Sequence, residues 1–187
     1  MMERRNPAAG LNPGVEPTRF EAWRTFMQNY GVITDLMRRR FAETLDLPMV
    51  WYEILLHINA GPCRQRAFSE LEELMVLSQS GLSQLVSRME ANGLLTRTTD
   101  TNDGRRTILM LTDAGADLFA ECAAVHRTSI NEYFADRLTD EEAAIIASAF
   151  GRILEEVTVL RREQNPRRPA ARRRRAPRSE RPGPMGD

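Results

Sequence analysis

Residues 94–111 read LLTRTTDTNDGRRTILML, two strand-like runs, LLTRT at 94–98 and TILML at 107–111, around the heptapeptide TNDGRRT. Asp103-Gly104 between two such runs is a hairpin signal, because Gly accepts a positive φ without steric cost. A solvated turn needs only turn residues, yet this one also carries Arg105 and Arg106. Either the charge is incidental, or the hairpin aims guanidinium groups at something.

The stretch before the hairpin narrows the choice. Ser78 is a cap for a helix over 78–91, and Asn92-Gly93 ends it. Leu82, Leu85, Val86 and Met89 form its buried stripe, which turns Ser80, Ser83, Gln84, Ser87 and Arg88 outward. That outward face carries no acid; the first is Glu90, near the C-terminal end. Gln and Arg read base edges in a major groove, and Ser reaches bases or phosphates. The helix N-terminus, with Ser78 and Gln79, offers unpaired N–H groups to a phosphate. Upstream, Ser69-Glu70-Leu71-Glu72 has a capping-box pattern that opens a short helix through about Leu77. Two short helices on a tight link followed by a hairpin is the order of a winged helix-turn-helix.

Longer helices flank this module. Trp23, Phe26, Met27, Tyr30, Ile33, Met37 and Phe41 recur at helical spacing, and Pro48 separates them from a second helix with Val50, Trp51, Ile54, Leu55 and Ile58 on one face. Gly61-Pro62 stops that helix. Beyond the hairpin, Thr112 caps a long helix carrying Leu118, Phe119, Cys122, Val125, Ile130, Tyr133 and Phe134. Thr139-Asp140-Glu141-Glu142 is a capping box for a last helix with Ile145, Ile146, Ala149, Ile153, Leu154, Val157 and Leu160. The expected architecture is mainly α: a winged helix-turn-helix with one small β-hairpin wing, between long N- and C-terminal dimerisation helices. Its parts are a flexible arm at 1–17, a helical dimerisation region of 18–47 plus 113–164, a winged module at 48–112, and a disordered Arg-rich tail at 165–187.

At this point LSQSGLSQLVSRMEANGLLTRTTDTNDGRRTILMLTDAG (77–115) resembles the core of the MarR family, the multiple antibiotic resistance regulators. The family pattern of Gly-Leu, an Arg after the first strand, Asp-x-Arg in the wing and Leu-Thr-x-x-Gly falls on Gly93-Leu94, Arg97, Asp103-Gly104-Arg105 and Leu111-Thr112-Asp113-Ala114-Gly115. With the long helices, the resemblance covers roughly residues 18–162. It implies a homodimeric transcriptional regulator on a pseudo-palindromic duplex DNA site, as a repressor, since a bound dimer occludes a promoter. It also implies that Arg105 enters a minor groove while Asp103 helps hold it. Arg106 departs from the small or variable residue usual there, and is either a phosphate contact or simply solvated. The family further implies a cavity for small, often phenolic, molecules, here assigned to Trp23, Met27, Tyr30, Trp51, Tyr52 and His57; the alternative is that these rings are core.

A dimer follows from the residues as well, because the apolar stripes of the flanking helices exceed what the small module covers. Two-fold symmetry then places half-sites about one helical turn, roughly 34 Å, apart.

Composition bounds what remains. The 187 residues are 42% hydrophobic and 28% charged, a globular balance. Formal net charge is zero, but residues 161–187 hold ten arginines against Glu163, Glu180 and Asp187, a net +7 that leaves −7 on 1–160. The tail suits sequence-independent phosphate binding or is an inert extension. All 26 basic residues are Arg, a mark of coding bias rather than chemistry. The N-terminus lacks the apolar region of a secretory signal, no run suits a membrane span, and Cys63 and Cys122 make no disulfide framework. A cytoplasmic protein without membrane partner is expected. Cys122 and His126 share a helix face but are too few for a metal site, so neither metal nor cofactor is expected. Cys63, beside Arg64 and Arg66, is read as a redox-sensing thiol or, more simply, an incidental Cys. No phosphate-binding Gly loop and no nucleophile–His–acid set is present, so the chain is not expected to be an enzyme. The rival class is a helical protein-interaction module that uses the winged fold without specific DNA binding.

Overall fold

The computed structural model describes residues 14–101 and 103–164. They form six α-helices and a small antiparallel sheet: α1 (Pro17–Leu45), α2 (Met49–Asn59), β1 (Gln65–Ala67), α3 (Phe68–Leu74), α4 (Gln79–Ala91), β2 (Leu95–Thr99), β3 (Thr107–Leu111), α5 (Asp113–Tyr133) and α6 (Asp140–Gln164). The mainly helical winged fold expected from the sequence is present. Two compact units divide between Arg137 and Leu138. The segment 165–187, with its expected disorder, and residues 1–13 of the expected arm lie outside the described residues. The arm ends earlier than Pro17: the Glu16 carboxylate accepts from the backbone N–H of Thr18 and Arg19, both at 3.0 Å, and caps α1.

The first unit has two apolar centres. In one, Ile54, Leu55 and Ile58 of α2 meet Leu71 and Met75 below α3, Leu82, Val86 and Met89 of α4, and Leu94, Leu95 and Leu109 around the hairpin. Leu85 packs on this core only partly buried. In the other, Phe41 of α1, Tyr52 of α2 and Cys122 of α5 pack with Leu118 and Phe119. Arg40 joins α1 to α5, with Nη2 2.7 Å from Glu132 Oε2 and its guanidinium 4.5 Å from the Tyr133 ring centre. Helix α1 buries only Met37 and Phe41; Trp23, Phe26, Met27 and Tyr30 are exposed within the chain. In the second unit, the Thr139–Glu142 capping box forms reciprocally, and α6 carries Ile145, Ile153, Leu154, Val157 and Leu160 exposed.

Three local expectations change. The sheet has three strands in the order β1-β3-β2, not two. Strand β1 is only Gln-Arg-Ala, with no alternation to betray it; it exists because Gln65, Arg66 and Ala67 pair with Met110, Leu109 and Ile108. Helix α3 starts directly from that strand, so its N-cap is Ala67 without a side-chain bond, and Ser69 lies already inside the helix. It ends at Leu74 rather than Leu77, since Met75 leaves with ψ 142° to bury itself in the core. Finally, the hairpin pairing ends at Thr99 with Thr107, several residues short of a tight Asp-Gly turn. Gly104 has no left-handed φ; the left-handed glycine of this region is Gly93, at φ 72°.

Gly93 completes a Schellman end to α4: its N–H reaches Glu90 O at 2.9 Å and the Leu94 N–H reaches Met89 O at 3.0 Å. The Gly93 and Leu94 carbonyls left pointing onward are both taken by Thr112, whose Oγ1 donates to Gly93 O at 2.6 Å and whose N–H donates to Leu94 O at 3.2 Å. The same Oγ1 caps α5 by accepting from Gly115 N at 3.0 Å. Gly115 must be glycine, because a Cβ there would lie 1.9 Å from Leu94 O. Gly115→Ala is expected to cost about 1–3 kcal/mol, since backbone rather than a mobile side chain must yield. Thermal unfolding checks this, and an unchanged Tm would mean that α5 is not seated on the α4–β2 junction.

Candidate nucleic-acid interface and adjoining cleft

Helix α4 begins as expected, with Ser78 Oγ accepting from Gly81 N at 3.2 Å. Gln79, Ser80, Gln84, Ser87 and Arg88 are exposed and Ser83 is half-buried, opposite the buried Leu82, Val86 and Met89. Ser87 is not a free hydroxyl: it donates to Ser83 O at 2.9 Å and accepts from Arg97 Nη2 at 2.7 Å. Arg97, on β2, also sets its Nε 2.9 Å from Glu90 Oε2, an ion-pair contact without hydrogen-bond alignment. The one acid of the helix end is therefore neutralised from the neighbouring strand.

The wing tip is ordered by its own backbone. Asp100 N donates to Arg106 O and Arg106 N donates to Asp103 O, both at 2.9 Å. Asp103 Oδ1 accepts from the Arg105 N–H at 3.2 Å, the local turn bond typical of Asp. Asp103 thus shapes the backbone at Arg105 rather than gripping its guanidinium. The Arg105 side chain is exposed, with no ion pair among the described residues. Arg106 is engaged by two acids within the chain. Its Nη2 lies 2.8 Å from Glu70 Oε1 on α3, and its Nη1 3.8 Å from Asp100 Oδ2. No sequence signal ties Glu70 to Arg106, since the pairing spans 36 residues and depends on the unforeseen β1.

Between α1, α2 and the segment joining α3 to α4 lies a cleft of about 920 Å³. Of the six residues assigned to a ligand cavity, it is lined by Tyr30 and His57. Trp23 and Met27 are exposed on α1 outside it, Trp51 packs on the α2–α4 core, and Tyr52 is buried, stacked on Phe119 at 5.9 Å. The sequence missed Thr34, Arg38, Glu53 and the wall formed by Leu74, Met75, Val76, Leu77 and Leu85. Burial raises the Glu53 carboxyl above its usual range, with the Arg38 charge partly opposing.

Both cysteines are free. Cys63 is exposed in a left-handed backbone (φ 53°), and the Arg66 Nε beside it in sequence donates instead to the His57 carbonyl. Cys122 is buried, and burial pushes its thiol up to about 11. His126, one turn on, has Nδ1 3.3 Å from the Tyr52 hydroxyl. Both belong to core packing, and no cluster of metal-ligating groups occurs among the described residues.

Burial holds His126 below the ordinary 6.5, and burial followed by the Arg66 charge does the same for His57. The folded chain then binds fewer protons than the unfolded one just below that pH. Stability from the neutral imidazoles is fully present above about pH 6.5 and is lost as pH falls through their lowered values. Glu53 titrates with the opposite sign, being raised. Tm is expected to drop between about pH 7.5 and pH 5.5, with a shallower slope in His126→Gln; an identical slope would exclude His126 as a source.

Residues 45–106 match the MarR family model. AbsC, a MarR family transcriptional regulator from Streptomyces coelicolor, is 26% identical, with TM-score 0.71 over 79% of this chain and 99% of its own. Sco3205 from the same organism, solved in complex with DNA, is 24% identical with TM-score 0.69 over 76% of this chain and 93% of its own. Among curated proteins, the multiple antibiotic resistance protein MarR of Escherichia coli K12 is 21% identical over 64% of this chain and 82% of its own length. No helix among the described residues is long and apolar enough to cross a membrane.

Proposed function

We propose that this chain, whose residues 45–106 match the MarR family model, is a MarR-type regulator of transcription that grips a pseudo-palindromic duplex as a homodimer, with α4 in a major groove and Arg105 in the flanking minor groove. The observation that carries this reading is the acid-free face of α4, with Ser80, Gln84, Ser87 and Arg88 exposed and Ser83 half-buried, together with the exposed Arg105 of the wing. Three nearby carboxylates face arginines, Glu90 with Arg97 and Glu70 and Asp100 with Arg106, while Asp103 accepts from the Arg105 backbone N–H. A phosphate is offered the N-terminus of α4, where Ser78, Gln79 and Ser80 are exposed and no acid stands in the first turn. The exposed apolar side chains of α1, and separately those of α6, support a two-fold interface with a second copy. Occlusion of a promoter by such a dimer makes it a repressor.

A gel shift with the DNA upstream of its own coding sequence tests the reading. Two chains per site are expected, and Arg105→Ala should weaken binding by about 1–3 kcal/mol. Absence of binding to any upstream duplex would favour a protein-interaction module instead, for which the −7 on residues 1–160 is the main support.

The cleft supports an effector of this regulator. Its Arg38 suits a carboxylate, its Tyr30 and the wall of Leu74, Met75 and Leu85 suit an aromatic ring. Since that wall runs into α4, an occupant acts on the DNA-reading helix directly. A small aromatic acid is expected to raise Tm and release DNA, and Arg38→Ala to remove both effects. A broad screen in which no aromatic acid does either would sink the effector reading.

A further inference from the structure

We propose that Arg106 is a positioning residue that holds the wing against α3 and leaves Arg105 to meet the DNA; this rests on the DNA-binding reading above. Pairing between β1 and β3 ends at Ala67–Ile108, because the chain turns into α3 at Phe68. The outer part of the hairpin, Thr99–Thr107 and the loop beyond, therefore has no third strand beside it. The Arg106–Glu70 contact falls at the point where that pairing stops. Glu70 sits in the first turn of α3, three residues after Ala67, and Arg106 sits two residues before Ile108. Their 2.8 Å contact acts as one more rung, made by side chains where the backbone ladder has run out.

Two backbone hydrogen bonds and a looser ion contact fasten the same residue. Its N–H donates to Asp103 O, its carbonyl accepts from Asp100 N, and its second guanidinium nitrogen faces Asp100 Oδ2 at 3.8 Å. A phosphate could claim this guanidinium only by uncovering Glu70 and Asp100 beside itself, which offsets the gain. Arg105, adjacent in sequence, is exposed with no ion pair on its guanidinium among the described residues; Asp103 meets only its backbone N–H. Two neighbouring arginines thus divide the work, one holding and one reaching.

The signs of two neutralising substitutions separate holding from phosphate contact. If Arg106 positions the wing, Arg106→Gln and Glu70→Gln each weaken binding to a specific duplex about two- to fivefold, and the double variant is no worse than the weaker-binding single. Removal of an acid near DNA would otherwise tighten binding, so weaker binding by Glu70→Gln is the diagnostic result. In the free protein, both variants should speed amide exchange at residues 99–107 while leaving α5 protection unchanged. That measurement needs no DNA, so it stands apart from a failure of the DNA-binding reading itself. Tighter binding by Glu70→Gln, with a salt slope reduced by about one in Arg106→Gln, would overturn the proposal in favour of a phosphate contact. Unchanged exchange and affinity in both variants would overturn it in favour of a solvated pair.

Discussion

The placement of the wing and of α4 depends on one close approach, the Leu94 carbonyl against the bare Cα of Gly115. Helix α4 ends in a turn that needs Gly93 at φ 72°, and that turn throws two carbonyls forward. Thr112 collects both while also capping α5. One threonine and two glycines thus lock together the end of α4, the start of β2, the end of β3 and the start of α5. The buried Leu94, Leu95 and Leu109 then have only one way to face α2 and α4. The spacing Gly-Leu…Leu-Thr-x-x-Gly is the sequence trace of this junction, and each of its residues has a separate physical duty.

Charge is handled by pairing rather than by excess. Residues 1–160 carry −7, so a basic surface cannot arise from bulk composition. Instead Arg97 neutralises Glu90 and steadies Ser87, and Arg106 neutralises Glu70 near Asp100. Arg88 and Arg105 remain exposed, without an ion pair among the described residues. At the effective dielectric of a protein surface, two uncovered acids at contact distance would offset a comparable number of guanidiniums. Matching them locally lets an acidic chain present a small cationic face.

Much of this was legible because it is local. The caps Ser78, Thr112 and Thr139 and the stripe of α4 follow from spacing over a few residues. What stayed hidden depends on distant partners. Strand β1 is three residues long and takes its conformation from β3; α3 starts where that strand lets it, and Ser69 loses the cap that its pattern promised. Arg106 could be read as solvated or phosphate-bound until Glu70 was brought beside it. The aromatic residues of α1 and α2 look alike by periodicity, yet Tyr52 is core, Tyr30 lines the cleft and Trp23 faces outward. Helical spacing gives the side of a helix, not what lies against that side.

The cleft and the interface are linked by one short segment. Met75 leaves α3 to enter the core, and this forces Leu74, Val76 and Leu77 to line the cleft on the way to the Ser78 cap of α4. Leu85, only half-buried on the stripe of α4, completes the same wall. The wall of the cleft is therefore made of the residues that set where α4 begins and how it is rotated. Since Leu85 is followed by the buried Val86, rotation of the helix to relieve the cleft would disturb the core on one side and the Gln84 face on the other. The geometry that gives the cleft its apolar wall is the geometry that aims the helix.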